Sequence, residues 1–183
     1  METTMQENQI VSDATEECCP KFEPSRWDEV EHEWQNKLFL KDSVPEIFHF
    51  PVPGTYSKAI TRMWKKAEDV GAAPDPKDFL LLAHDPSPFK GELFMSITKE
   101  VPGEENVRLS GTFMSNVFDG PYHKVPNYIK EMDQYLKANN KVAAKYYFYF
   151  AYCPKCSKKY GHNYIVALAE VTDAHAHIDS AVL

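Results

Sequence analysis

Two sets of residues in this chain have the types and spacing to do chemistry. The four cysteines fall into two pairs, Cys18-Cys19 and Cys153-x-x-Cys156. The spacing of the second pair lets two thiolates grip one tetrahedral ion, as in half of a zinc knuckle. A structural zinc held by Cys18, Cys19, Cys153 and Cys156 would tie the N-terminal segment to the last hairpin, with His162 as a substitute for one of the adjacent cysteines. A redox pair and inert buried thiols are the alternatives. A closed four-thiolate site would leave no position for catalysis.

The second set is built on residues 91–101, Gly-Glu-Leu-Phe-Met-Ser-Ile-Thr-Lys-Glu-Val. Strand alternation sends Leu93, Met95 and Ile97 one way, towards a helix, and Glu92, Phe94, Ser96 and Thr98 the other. A carboxylate then stands beside an aromatic ring. By the same alternation the run Tyr146–Phe150 offers that face either Tyr147 and Tyr149 or Tyr146 and Phe148. Aromatics around one or two polar groups are what small-molecule sites look like; the same rings could instead fill a core between layers.

Held against rings away from water, Glu92 is expected to have a raised pKa. It could protonate a carbonyl as a strained ring opens, or, ionised, orient an attacking water. A hydroxyl from Tyr147 or Tyr149 could stabilise the developing oxyanion. Ionised Glu92 could equally pair with a ligand cation, each ring adding about 0.5–2 kcal/mol of cation–π attraction. His49 and His84 fall at strand positions that could face the same cleft, or serve as hydrogen-bonded structural histidines. His175 and His177 read as solvated residues of the tail.

The elements that must position these groups repeat. Gly54-Thr55-Tyr56 matches Gly120-Pro121-Tyr122, and Lys58 matches Lys124, at an offset of 66; Asp85-Pro86 matches Cys153-Pro154 at 68, and Lys99-Glu100-Val101 matches Ala169-Glu170-Val171 at 70. Helices are expected from about Ser57, with Ile60, Met63, Trp64, Ala67 and Val70 on one face and Gly71 as the stop, and from near Pro126, with Val125, Ile129, Met132 and Leu136 on one face. Trp27, Val30 and Trp34 fit a short helix or turn. Asp85-Pro86-Ser87-Pro88 and Cys153–Gly161 read as connections.

Each half is then a βαββ unit that cannot bury its apolar face alone, so two copies make one α+β domain. The expectation is an antiparallel sheet with two helices on one face and a ligand cleft on the other. The organisation is a disordered leader at 1–16, an N-terminal segment at 17–36 packing on the domain, the domain at 37–171 (repeats 37–101 and 107–171), and a flexible tail at 172–183.

Composition narrows the function. The 183 residues are 43% hydrophobic, 13% aromatic and 26% charged, with a formal net charge of −7, and no Lys/Arg run exceeds two. Nucleic acid is not an expected partner, whereas a neutral or cationic small molecule is easily accommodated. No apolar signal segment or bilayer-length stretch is visible, so a cytoplasmic protein with no membrane partner is expected. Neither a Ser-His-Asp signature nor a phosphate-binding glycine loop occurs. Nothing in the sequence sets the oligomeric state.

Val117-Phe118-Asp119-Gly120-Pro121-Tyr122, followed by a helix ending in Tyr135-Leu136, resembles the turn and helix of GyrI-like (gyrase-inhibitor-like) domains over roughly residues 37–171. Cys18-Cys19-Pro20-Lys21-Phe22, Lys37-Leu38-Phe39, Thr98–Gly103 and Cys153-Pro154-Lys155-Cys156 resemble a stand-alone bacterial branch loosely called hydrolases. The resemblance implies a pseudo-twofold fold whose cleft binds drug-like, often cationic aromatic molecules. It also implies that some members hydrolyse electrophilic, cyclopropane-type toxins, a detoxification activity. Glu92 matches a strand glutamate of such clefts, whereas the second repeat has His162-Asn163-Tyr164 there, which removes a second carboxylate. The main alternative is a non-catalytic sequestering or partner-binding protein with a structural zinc.

Overall fold

Two apolar faces per strand-helix unit have to be covered, and the chain covers them in two different ways. The structure is a computed structural model that describes residues 19–174. It contains β1 (Val30–Ile47), β2 (Phe50–Pro51), α1 (Thr55–Asp69), β3 (Leu81–Ser87), β4 (Lys90–Ser96), β5 (Asn106–Asp119), α2 (Val125–Ala138), β6 (Lys141–Phe150), α3 (Pro154–Tyr160) and β7 (Tyr164–Asp173).

In each half the second strand of the hairpin returns beside the first strand, β4 against β1 and β7 against β5, antiparallel throughout. The halves join twice. β3 meets β6 at a single bridge, Ala83 with Phe148, and β1 pairs β5 from Val30 to Leu40. The sheet order β2-β1-β4-β3-β6-β7-β5 therefore closes back on β1, with the short β2 outside the ring and the β3–β6 seam held by one bridge.

The outer face carries the two long helices. On one half α1 buries Ala59, Met63 and Ala67 against Leu40, Val44, Leu93 and Met95. On the other α2 lays Met132 and Leu136 on Met114, Ala167 and Ala169. Leu93, Met95 and Ile97 thus face a helix, as their alternation requires. The α+β class and the antiparallel sheet are those expected.

The inner face is largely filled, with a cavity of about 490 Å³ left at one end beside Phe22, Trp27, Leu80 and Tyr149. Phe39, Leu82, Phe94, Phe113, Tyr147 and Leu168 fill the face, with Trp27 and Trp34 packed against them. Trp34 lies 4.4 Å from Phe113, ring centre to ring centre. Each such side chain gains about 1.5–3 kcal/mol on burial, so a curled sheet lined with them packs on itself.

Several local expectations change for tertiary reasons. Of Trp27–Trp34, expected as a short helix or turn, residues 27–29 form a turn after a 3-10 turn at Pro24–Arg26; from Val30 the chain is β1, because β5 supplies a ladder. The relevant period is two, through Val30, His32 and Trp34, with Glu31 and Glu33 outward. A bulge between Trp34 and Lys37, with Asn36 at φ 53°, puts Trp34 and Phe39 on the same face although they are five apart. Residues 30–36 are therefore an integral strand rather than a packed-on segment. Asp85 and Ser87 belong to β3, the turn being at 88–89. Cys153–Gly161 holds a helix, α3. Thr172 and Asp173 pair with Val142 and Lys141, so the tail begins later than expected. The leader at 1–16, Cys18, His175 and His177 lie outside the described residues.

Candidate functional site

β3 and β6 touch at one bridge and then part, and a cavity of about 800 Å³ opens on the helix-bearing side where they separate. The ring of His84 enters the gap, its Nδ1 2.8 Å from the carbonyl oxygen of Tyr146, in place of the missing ladder. Ala144, Tyr146 and Phe148 of β6 and His84 and Asp85 of β3 line one side; Val125, Pro126 and Ile129 of α2 line another; Phe48, His49, Phe50 and Tyr122 close the third. It is a mostly aromatic and aliphatic space at the junction of the two halves.

Its polar end is a pair of carboxylates. Val44 and Glu46 alternate onto the helix-bearing face of β1, and both are buried, Glu46 being only 3% exposed. Its carboxylate, the Asp85 carboxylate and the His49 ring each present an atom within 4.8 Å of the others. Asp85 and His49 line the cavity; Glu46 lies behind them. The Tyr56 hydroxyl donates a long 3.5 Å bond to Glu46 Oε1, and among the described residues Oε2 has no hydrogen-bond partner. Burial, and then the charge of Asp85, push Glu46 up to about 7. Burial raises Asp85 also, with His49 opposing. Two such acids share a proton near neutrality and titrate as a pair.

The backbone is bent to build this end. A Cβ on Gly91 would fall far inside contact with Glu46 Oε1, and 2.9 Å from its Cδ, so the carboxylate occupies space that only glycine leaves. The two residues between Ile47 and Phe50, Phe48 and His49, both have positive φ, 50° and 67°. A two-residue hairpin turn of this hand prefers Asn-Gly, and bulky residues there are strained by about 1–3 kcal/mol each. The strain sets Phe48, 68% exposed, at the rim and brings His49 Nδ1 to 3.9 Å from Asp85 Oδ2. Tyr122 braces the turn by donating to the His49 carbonyl oxygen at 3.2 Å.

The groups singled out from the sequence divide between the two faces. His49 and His84 line the cavity, and burial, then Lys145, lower the pKa of His84, so it is neutral. Glu92, Phe94, Tyr147 and Tyr149 are on the inner face. Of the two alternatives for the aromatic run, Tyr147 and Tyr149 share the Phe94 side, with Tyr147 and Phe94 edge to face at 5.5 Å, while Tyr146 and Phe148 turn outward.

Glu92 does not have the raised pKa expected of it. Burial acts to raise it, but hydrogen bonds from Lys90 at 3.0 Å and Lys41 at 3.1 Å override burial and hold it below the ordinary carboxylate range. Tyr147 is 1% exposed in the aromatic core, with its hydroxyl pKa raised by burial. Neither it nor Glu92 reaches the cavity. Glu46, Asp85, Tyr56 and Tyr122 escaped the sequence reading. The signal for Glu46 is a glutamate at a helix-facing position of a strand beside a glycine, and Asp85 was hidden by its Pro-rich neighbourhood.

The cysteines converge as their pairing suggests. Cys19, Cys153 and Cys156 bring their sulfurs within 4.8 Å of one another; Cys18 lies outside the described residues. His162 is not at this cluster, its Nδ1 lying 2.7 Å from Asp119 Oδ2.

The family described as Bacterial hydrolase matches residues 9–171. The chain belongs to it. The fold is shared with solved structures of low sequence identity. The EcmrR C-terminal domain is 13% identical, with a TM-score of 0.59 over 80% of this chain and 98% of that one. A hydrolase from Listeria innocua is 10% identical, with a TM-score of 0.57 over 79% and 92%. EcmrR in complex with DNA gives 10% and 0.56 over 80% and 58%. No curated protein matches the chain in sequence. Among the described residues no helix is long and apolar enough to cross a membrane.

Proposed function

We propose that the protein binds small hydrophobic cations in the cavity between its halves. The observation that carries this reading is the acid pair: Asp85 lines the aromatic-walled space, and close to it stands Glu46, a buried carboxylate with an unpartnered oxygen. An unpaired buried charge is costly, so in the empty cavity the pair holds a proton. A cation entering would replace that proton, and Phe148, Tyr146 and Tyr122 would give it ring faces. The cavity is large enough for a drug-sized molecule.

The test uses benzyltrimethylammonium, whose charge cannot titrate, beside its neutral isostere neopentylbenzene. The wild type should bind the cation more tightly as pH rises through about 7, with no such trend for the isostere. Glu46→Gln should weaken cation binding about tenfold to a hundredfold, the range for losing a charge-assisted interaction, and Glu92→Gln should leave it unchanged. Equal binding of cation and isostere, or loss in Glu92→Gln alone, would overturn the reading.

A second reading, hydrolysis of a reactive cyclopropane-type compound for detoxification, is favoured by the same pair. An acid with a pKa near 7 beside a second carboxylate suits general acid–base work. The ionised member would take a proton from water as its oxygen attacks the electrophilic carbon. The protonated member would give one to the atom released, so one water is added across the broken bond. Mass spectrometry should show that gain with wild type and not with Glu46→Gln or Asp85→Asn; unchanged substrate with wild type would leave binding alone.

A further inference from the structure

We infer that Cys19, Cys153 and Cys156 form a zinc site that clamps the N-terminal segment across the open end of the inner core. The three sulfurs come from positions 134 and 137 residues apart and lie within 4.8 Å of one another. Zinc–sulfur bonds of about 2.3 Å at tetrahedral angles put sulfurs about 3.8 Å apart, so side-chain rotation of an ångström or less completes the geometry. The donors are all sulfur, which favours a soft or borderline ion such as zinc over calcium or magnesium.

The backbone around them is arranged to bring the sulfurs together. The Cys153 amide N–H donates to Cys19 Sγ at 3.4 Å, a contact that stabilises sulfur bearing negative charge. Cys153 is extended, at φ −70° and ψ 163°, and α3 then places Cys156 one turn further on, buried, before Gly161 turns the chain at φ 73°.

What the clamp would secure is visible beyond the sulfurs. The Tyr160 hydroxyl donates to the Cys19 carbonyl oxygen at 3.4 Å, and the Phe22 amide donates to the Tyr152 hydroxyl at 2.9 Å. Phe22 then packs on Tyr149 and Tyr164, and Trp27 reaches Tyr149 at 5.6 Å. The segment runs as a strap from the cluster to these ring contacts. A two-cysteine disulfide would use Cys153 and Cys156 and leave the convergence of Cys19 without a role. The role of the ion is structural, with no step in any reaction.

The full chain, purified under reducing conditions without chelator, should carry about one zinc per chain. X-ray absorption should find three or four sulfurs at about 2.3 Å. Chelation should lower Tm and open the strap to proteolysis before Trp27, and cobalt substitution should give a thiolate charge-transfer band. Cys153→Ser, at a half-exposed position, should bind zinc at least about tenfold more weakly while remaining folded, which guards against Cys156→Ser failing to fold. Under about 0.2 zinc per chain after reconstitution of folded protein, two or fewer sulfurs, or a Cys153–Cys156 disulfide with unchanged stability would overturn the inference.

Discussion

Two glutamates, both almost wholly buried, show how differently the two faces of this sheet treat a charge. Glu92, on the inner face, receives Lys41 and Lys90 and is held ionised. Glu46, on the helix-bearing face, has a long bond from Tyr56, a second acid opposite, and an oxygen with no partner. The first is an internally completed ion pair and needs nothing from outside. The second is incomplete, and it lies next to Asp85, which lines the apolar-walled cavity. Under the proposed reading the incomplete charge serves binding, whereas the completed one serves the scaffold.

The comparison breaks most readily at Gly91. Gly91→Ala should destabilise the protein by about 1–3 kcal/mol, because the added Cβ displaces the Glu46 carboxylate and crowds Val44 Cγ2 at 3.1 Å. Combining it with Glu46→Ala should recover more than about 1 kcal/mol of that loss, a coupling that denaturant melts of the four proteins would measure. Strict additivity would mean that Glu46 is not confined as described.

The two acids should also give opposite pH slopes. Glu46 has a folded value of about 7 against an ordinary 4.5, so the folded state holds its proton more tightly and stability falls as pH rises between those values. Glu92 is lowered, so its stabilisation is present above its ordinary value and is lost as pH falls through the folded one. Melts between about pH 3 and pH 8 should show both slopes, with Glu46→Gln flattening the upper and Glu92→Gln the lower. A single slope of one sign would erase the distinction.

The smallest effect sharpens the contrast from the side of strain. Replacing Phe48 and His49 by Asn and Gly should stabilise the fold by about 1 kcal/mol, since both positions need positive φ. The same change should weaken cation binding, because it removes the rim ring and the partner of Asp85. Stabilisation without loss of affinity would show that the turn serves only the fold.

Much of this was legible in the chain. The 91–101 alternation fixed which side chains of β4 meet a helix, the Gly-x-Tyr turns and recurring helices located the two halves, and the cysteine spacing pointed to a sulfur cluster. These are local signals, periods of two and 3.6 residues and short ligand spacings, which backbone geometry imposes on any sequence. The closure of the sheet was not local. Whether β1 would find β5 depends on residues as far apart as Val30 and Ser115, and that pairing put Trp34 on a strand rather than in a short helix or turn and packed it, with Trp27, on the aromatic core. It also filled the part of the face that carries Glu92 and left the gap between β3 and β6. The sequence by itself determined the units, their faces and the clustering of thiols. Only the tertiary structure decided which buried acid is paired, because pairing depends on which lysines arrive from other strands.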